Sequence, residues 1–332
     1  MPGRAVRGLG DRGPCLGRTN LRKAHEEHNK APAEQGEAPG DWSYGARGLN
    51  LEALEHHPGT KPDLARAGPT KDDKGDDDVA DHLAALGIGS SSAEERLNQV
   101  RRILKASKPY SQRSDSMTLR WRDPSGAELW IYVDTTGAMK SVQPHFAGGP
   151  RIRMELQAIL ERPEVSPYDG GFLCLTQTGG SNPTLGGGFP VVFDAPDFPD
   201  VREAILTAKH DVELAGFAVE LNLYDTEEAF REAQPELKPL GVPAFIPAGM
   251  VSQVEGATPT AHALMVGRVV EAVLVKNQLT EVEFLRLRIE TPAGPMDLAV
   301  DPAMVPDLPA PGHILQVGAW LSGRLVPEDD EK

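Results

Sequence analysis

The run at 264–275 constrains the fold more than any other stretch. Leu264, Val266, Val270 and Leu274 take one set of alternate positions; Met265, Val269, Val273 and Val275 take the other. Period-2 patterning with apolar residues on both faces predicts a long strand, partly buried on both sides. A polar break at 276–280 precedes a second run at 281–290. There Val282 and Phe284 share one face, while Leu285, Leu287 and Ile289 share the other. A strand changes face only through a dislocation, so the pattern predicts a bulge between Phe284 and Leu285.

A turn at 291–294 leads to alternating Met296, Leu298 and Val300, then to a connection carrying Pro302, Pro306, Pro309 and Pro311. The last run, 313–326, contains Gly318 and Gly323, which predict bends or bulges. Long strands, a bulge and a glycine-bent final strand over 262–326 resemble an OB-type small β-barrel, with the proline-rich loop where that fold often has a helix. The resemblance implies a nucleic-acid groove, which would need cations and exposed aromatics. The charges disfavour it: Arg268, Lys276, Arg286, Arg288 and Arg324 are outnumbered by Glu271, Glu281, Glu283, Glu290, Asp297, Asp301 and Asp307. Phe284 and Trp320 are its only aromatics, and Trp320 is the binding candidate.

Over 332 residues the formal charge is −15. That disfavours nucleic acid and anionic membrane and permits a basic protein partner. Cys15 and Cys174 make no disulfide framework, and a reducing, cytoplasmic setting follows as the simpler expectation. No run of about 18 apolar residues marks a membrane span.

Residues 1–91 read as a disordered tail and linker with a short helix near 79–86 that docks on the body. The acidic stretch at 72–78 lacks the alternating ligands of a calcium loop, and His25, His28, His56 and His57 lie in the tail; no metal or cofactor is expected. An α+β domain over 92–250 follows, with a mainly antiparallel sheet and helices. Ser92 with Glu95 forms a capping box for its first helix. A three-strand meander covers 117–146. Helices are expected over 150–162, from Ile152, Leu156, Ile159 and Leu160, and over 200–209, from Val201, Ile205 and Leu206. Strands at 171–176, 190–193 and 212–223 and a helix from 225 complete the domain, and an acidic tail occupies 327–332.

Three local features carry candidate chemistry. The Gly-rich loop with Gly179, Gly180, Ser181, Asn182 and Gly187 offers backbone N–H groups, but it joins two strands and lacks the lysine of a P-loop; partner contact suits it better. Cys174 lies in an apolar strand. As a nucleophile it would need His145 or His210, oriented by Asp194 or Asp211. The primary expectation is a non-enzymatic protein-binding module, in one form an acidic antagonist or immunity-type protein. A thiol-dependent hydrolase using Cys174 and an OB-type nucleic-acid binder are the alternatives.

Overall fold

The structure, a computed structural model, describes residues 82–89, 92–163, 166–176, 188–237, 241–250 and 258–326. The tail through residue 81, which includes the acidic stretch at 72–78, residues 177–187 of the Gly-rich loop and the tail at 327–332 lie outside the described residues.

Most of the described chain is β-sheet, with few helices. Strands β1 (Lys108–Gln112), β2 (Ser116–Arg122), β3 (Ala127–Asp134) and β4 (Met139–Phe146) form an antiparallel meander. A second sheet holds β5 (Arg151–Glu161), β6 (Gly170–Thr176), β7 (Pro190–Asp194), β8 (Lys209–Tyr224), β9 (Ala244–Ile246), β10 (His262–Lys276), β11 (Glu283–Thr291), β12 (Gly294–Val300) and β13 (Ile314–Val326). The helices are α1 (Ala93–Ala106), α2 (Phe198–Val201) and α3 (Glu227–Ala233), with short 3-10 turns between elements. Ser92 caps α1 by accepting the Glu95 N–H, as the sequence predicts, and Thr226 caps α3 in the same way.

Within the second sheet the pairings return to their start. β10 pairs with β11, β11 with β12, β12 with β8, β8 with β13, and β13 with β10. Only the β12–β8 pairing among these five is parallel. Alternation then separates two cores. Leu285, Leu287, Leu298, Leu315, Val317 and Leu321 belong to one. Phe217, Phe284, Ala299 and Trp320 belong to the other, packed with Leu129, Ile131 and Val133 of the meander and Ile103 of α1. Each such large apolar side chain contributes roughly 1.5–3 kcal/mol when fully buried.

Residues 82–88 pack on this second core through Leu83, Leu86 and Ile88. The Leu86 and Gly87 carbonyls accept from Asn277 and Thr280. Of the short helix expected near 79–86, the described residues hold a 3-10 turn at Ala84–Leu86, and residues 79–81 lie outside them.

Four expectations are corrected. The helix over 150–162 is strand β5. Ile152, Met154 and Leu156 face the first core; an extra residue at Gln157 then shifts the register, which puts Ile159 on that face and Leu160 in the second core. The bulge makes 152, 156 and 159 recur at helical spacing in an extended strand. The helix over 200–209 ends at Val201. Thr207 N–H donates to the Leu156 carbonyl and Ala208 accepts from Leu156 N–H, so the bulged strand captures the chain there, and Ile205 is 74% exposed. The bulge placed between Phe284 and Leu285 lies in β10, where Val270 is the extra residue; β11 runs without a register shift, with Phe284 buried on one face and Leu285, Leu287 and Ile289 on the other. With those helices gone, the sheets dominate the described fold rather than sharing it with helices.

The glycines of β13 separate into two roles. Gly318 lies beside a register shift, the extra residue being Val219 of β8. Gly323 makes a close approach: a Cβ there would sit 2.5 Å from the buried Phe193 ring. Gly323→Ala is expected to lower stability by about 1–3 kcal/mol through overpacking, measured by urea unfolding.

Candidate functional site

One group of buried polar side chains among the described residues draws on several distant stretches. β3 supplies Glu128, β4 His145, the turn after β7 Asp197, β8 Glu213, and β13 Ser322 and Arg324. All are at most 8% exposed. β13 puts apolar residues at odd positions into the first core, so Trp320, Ser322 and Arg324 share its other face. On β8 the same alternation places Glu213 on the face of Ala215 and Phe217.

His145 Nδ1 lies 2.9 Å from Ser322 Oγ, and that hydroxyl also donates to the Pro144 carbonyl at 3.3 Å. His145 Nε2 is 3.9 Å from Glu213 Oε2, beyond hydrogen-bond reach, and acts there only through charge when protonated. Glu213 accepts from Gly148 N–H at 2.7 Å and from Arg324 at 3.2 Å. Burial opposes the Glu213 charge. The His145 ring, the Gly148 N–H and Arg324 outweigh it and hold the carboxyl well below the usual range.

Beside them Glu128 pairs with Arg120 at 2.5 Å and accepts from Trp130 Nε1 at 3.2 Å. Arg120 also lies over the Trp130 ring, and Tyr110 meets that ring edge-on. Asp197 is 1% exposed, and its Oδ1 finds no hydrogen-bond partner among the described residues. Burial pushes its carboxyl up to about 6, against the pull of Arg324 and His145.

Ser322, His145 and Glu213 have the residue types of a nucleophilic triad. A serine nucleophile, however, must meet an acyl carbon beside oxyanion donors. Ser322 and His145 are fully buried, so no acyl group reaches the hydroxyl in this arrangement. What it does chemically is join β4, β8 and β13 through charge and hydrogen bonds.

Cys174 is on β6, fully buried in the first core between Leu156 and Val191 of the neighbouring strands. Burial alone pushes its thiol up to about 12. His145 is engaged with Ser322, and His210 faces Met154 across the β5–β8 pairing. Asp194 pairs with Arg162 and accepts from Trp320, while Asp211 pairs with Arg153. None of these groups contributes to the Cys174 titration. In the native chain at pH 8, alkylation of Cys174 is expected to run roughly a thousandfold slower than for a free cysteine. Mass spectrometry of the Cys174 peptide checks this; a rapid native reaction would show an activated thiol.

Trp320 is 4% exposed. Its indole N–H donates to Asp194 at 2.7 Å, and its ring stacks on His82 at 4.8 Å. Phe284 is fully buried. Gly179, Gly180, Ser181, Asn182 and Gly187 lie outside the described residues. No group of three or more His, Cys, Asp or Glu among the described residues is placed to hold a metal ion. No described helix is long and apolar enough to cross a membrane.

Sequence reasoning missed Glu128, Asp197, Glu213, Ser322 and Arg324. The available signal was Ser322 and Arg324 on one face of the final strand, whose other face is apolar. No protein-family model, no curated protein and no solved structure matches this chain.

Proposed function

We propose that this chain is a non-enzymatic binding module for a protein partner, built around an OB-like five-stranded barrel of β8 and β10–β13. The returning cycle of pairings, with a parallel β12–β8 contact among antiparallel ones, supports the barrel. One observation carries the binding function: Cys174, Ser322, His145 and Glu213, the described groups best suited to covalent chemistry, are all sealed in the interior. A thiol hydrolase using Cys174 would need an accessible thiolate. A nucleic-acid binder would need free aromatic faces, and Phe284 and Trp320 are both covered by neighbouring elements. The excess of carboxylates favours a basic partner.

The test is capture from native cell lysate on the full chain, with and without nuclease. The expected result is one stoichiometric protein that survives nuclease. Material lost on nuclease treatment would replace the protein partner with nucleic acid.

A further inference from the structure

We infer that the free edge of β10 from Glu271 to Lys276 receives an extended segment of the partner, with apolar residues at alternate positions and Lys or Arg at its ends. This rests on the binding function proposed above and names where the partner docks.

β10 outruns its neighbour on one side. The β13 pairing stops at Arg268 opposite Ile314, and the last bonds on that side join Val269 to His313 and Gly312. From Glu271 to Lys276 the strand pairs only with β11. In a strand, alternate backbone N–H and C=O groups point to opposite sides. Half of those in this segment therefore point to an edge that no described strand occupies. Such an edge binds a strand by main-chain hydrogen bonds and selects it by side-chain contacts.

The side chains suit an apolar segment. Leu274 is 47% exposed although it lies opposite Leu285, and Val270 is 44% exposed. The net charge of −15 selects the flanks. Arg268, Arg286 and Arg288 are each paired, with Glu227, Glu271 and Asp297. Glu281 and Glu283 show no ion pair among the described residues; Lys276 lies opposite Glu283 and Arg102 donates to the Leu279 carbonyl, so the carboxylate excess that favours basic ends is that of the whole chain, at −15. The bulge at Val270 and the charges of Glu271 and Lys276 are the devices that keep an edge from indiscriminate pairing. A second copy would bring the same carboxylates together on a chain of charge −15.

The test uses the full chain and a labelled nine-residue peptide alternating valine and threonine, with two lysines at each end. Fluorescence anisotropy is expected to show saturable binding, with amide exchange slowed at Ala272, Leu274 and Lys276. Leu274→Lys, a proline at the peptide centre, or glutamates in place of the lysines should each weaken binding at least tenfold. Equal binding by the glutamate peptide, no effect of Leu274→Lys, no saturable binding, or a dimer lost in Leu274→Lys would each overturn the proposal. The lysate capture repeated with Leu274→Lys separates the two claims. A partner held equally by both chains removes this edge and leaves the binding module standing, whereas a wild-type chain that captures no protein removes the module itself.

Discussion

Replacing Arg324 by methionine is expected to destabilise the chain by about 3–5 kcal/mol at pH 7, the usual cost of removing one partner from a buried ion pair. Arg324 is 8% exposed and lies 3.2 Å from Glu213, itself buried. Methionine fills much of the volume, so the loss reads out charge rather than a cavity. Glu213 is then a buried carboxylate without its cation, with Glu128 and Asp197 nearby. The loss should shrink as pH falls. Glu213 has a folded pKa below its unfolded value, so its stabilisation is present above the unfolded pKa and lost as pH falls. Adding Glu213→Gln to Arg324→Met should recover part of the loss, because the orphaned charge is gone. Urea unfolding of the two single variants and the double at pH 3.5 and pH 7, on either side of the ordinary 4.5, measures this cycle. An additive double variant would mean that the two residues do not act on each other.

Asp197→Asn is expected to do the opposite and raise stability at pH 8 by about 3 kcal/mol. The Asp197 carboxyl is pushed up to about 6 from an ordinary 3.8, chiefly by burial, and each pKa unit corresponds to about 1.4 kcal/mol. For a raised carboxyl the contribution is fully present below the unfolded pKa and is lost as pH rises through the folded pKa. The wild type therefore gives up this stability between about pH 4 and pH 6, and the amide does not titrate. The two proteins should be nearly equal at pH 4 and diverge up to about pH 7. A constant difference across that window would mean that Asp197 does not titrate in the folded chain. Position 197 is thus a place where the native sequence is less stable than a near-isosteric alternative near neutrality.

Much of the β architecture was legible because its signals are local. Gly126 follows Asp123, Pro124 and Ser125 between alternating runs, which marks the β2–β3 hairpin without tertiary information. Ser92 and Glu95 mark the start of α1 in the same way. β5 was illegible because the extra residue at Gln157 turns a period-2 pattern into one that imitates a helix. The 200–209 segment was illegible because its backbone bonds to Leu156, some 50 residues earlier, are not written in its own composition. The polar site has the same difficulty in stronger form. His145 and Ser322 are 177 residues apart, and Glu213 and Arg324 are 111 apart. Trp320 reads as a strand aromatic either way; that Asp194 takes its N–H and His82 covers its face depends on the tertiary fold.

The most direct measurement is a side-by-side lysate capture. One bait is the full wild-type chain and the other is Cys174→Ser with Ser322→Ala, each first shown to unfold cooperatively at a similar urea midpoint. If these buried groups serve structure and the surface serves binding, both baits retain the same nuclease-resistant protein in the same amount. Loss of that protein from the folded double variant would show that the interior groups take part in the function, and the binding-module proposal would give way to one in which they react.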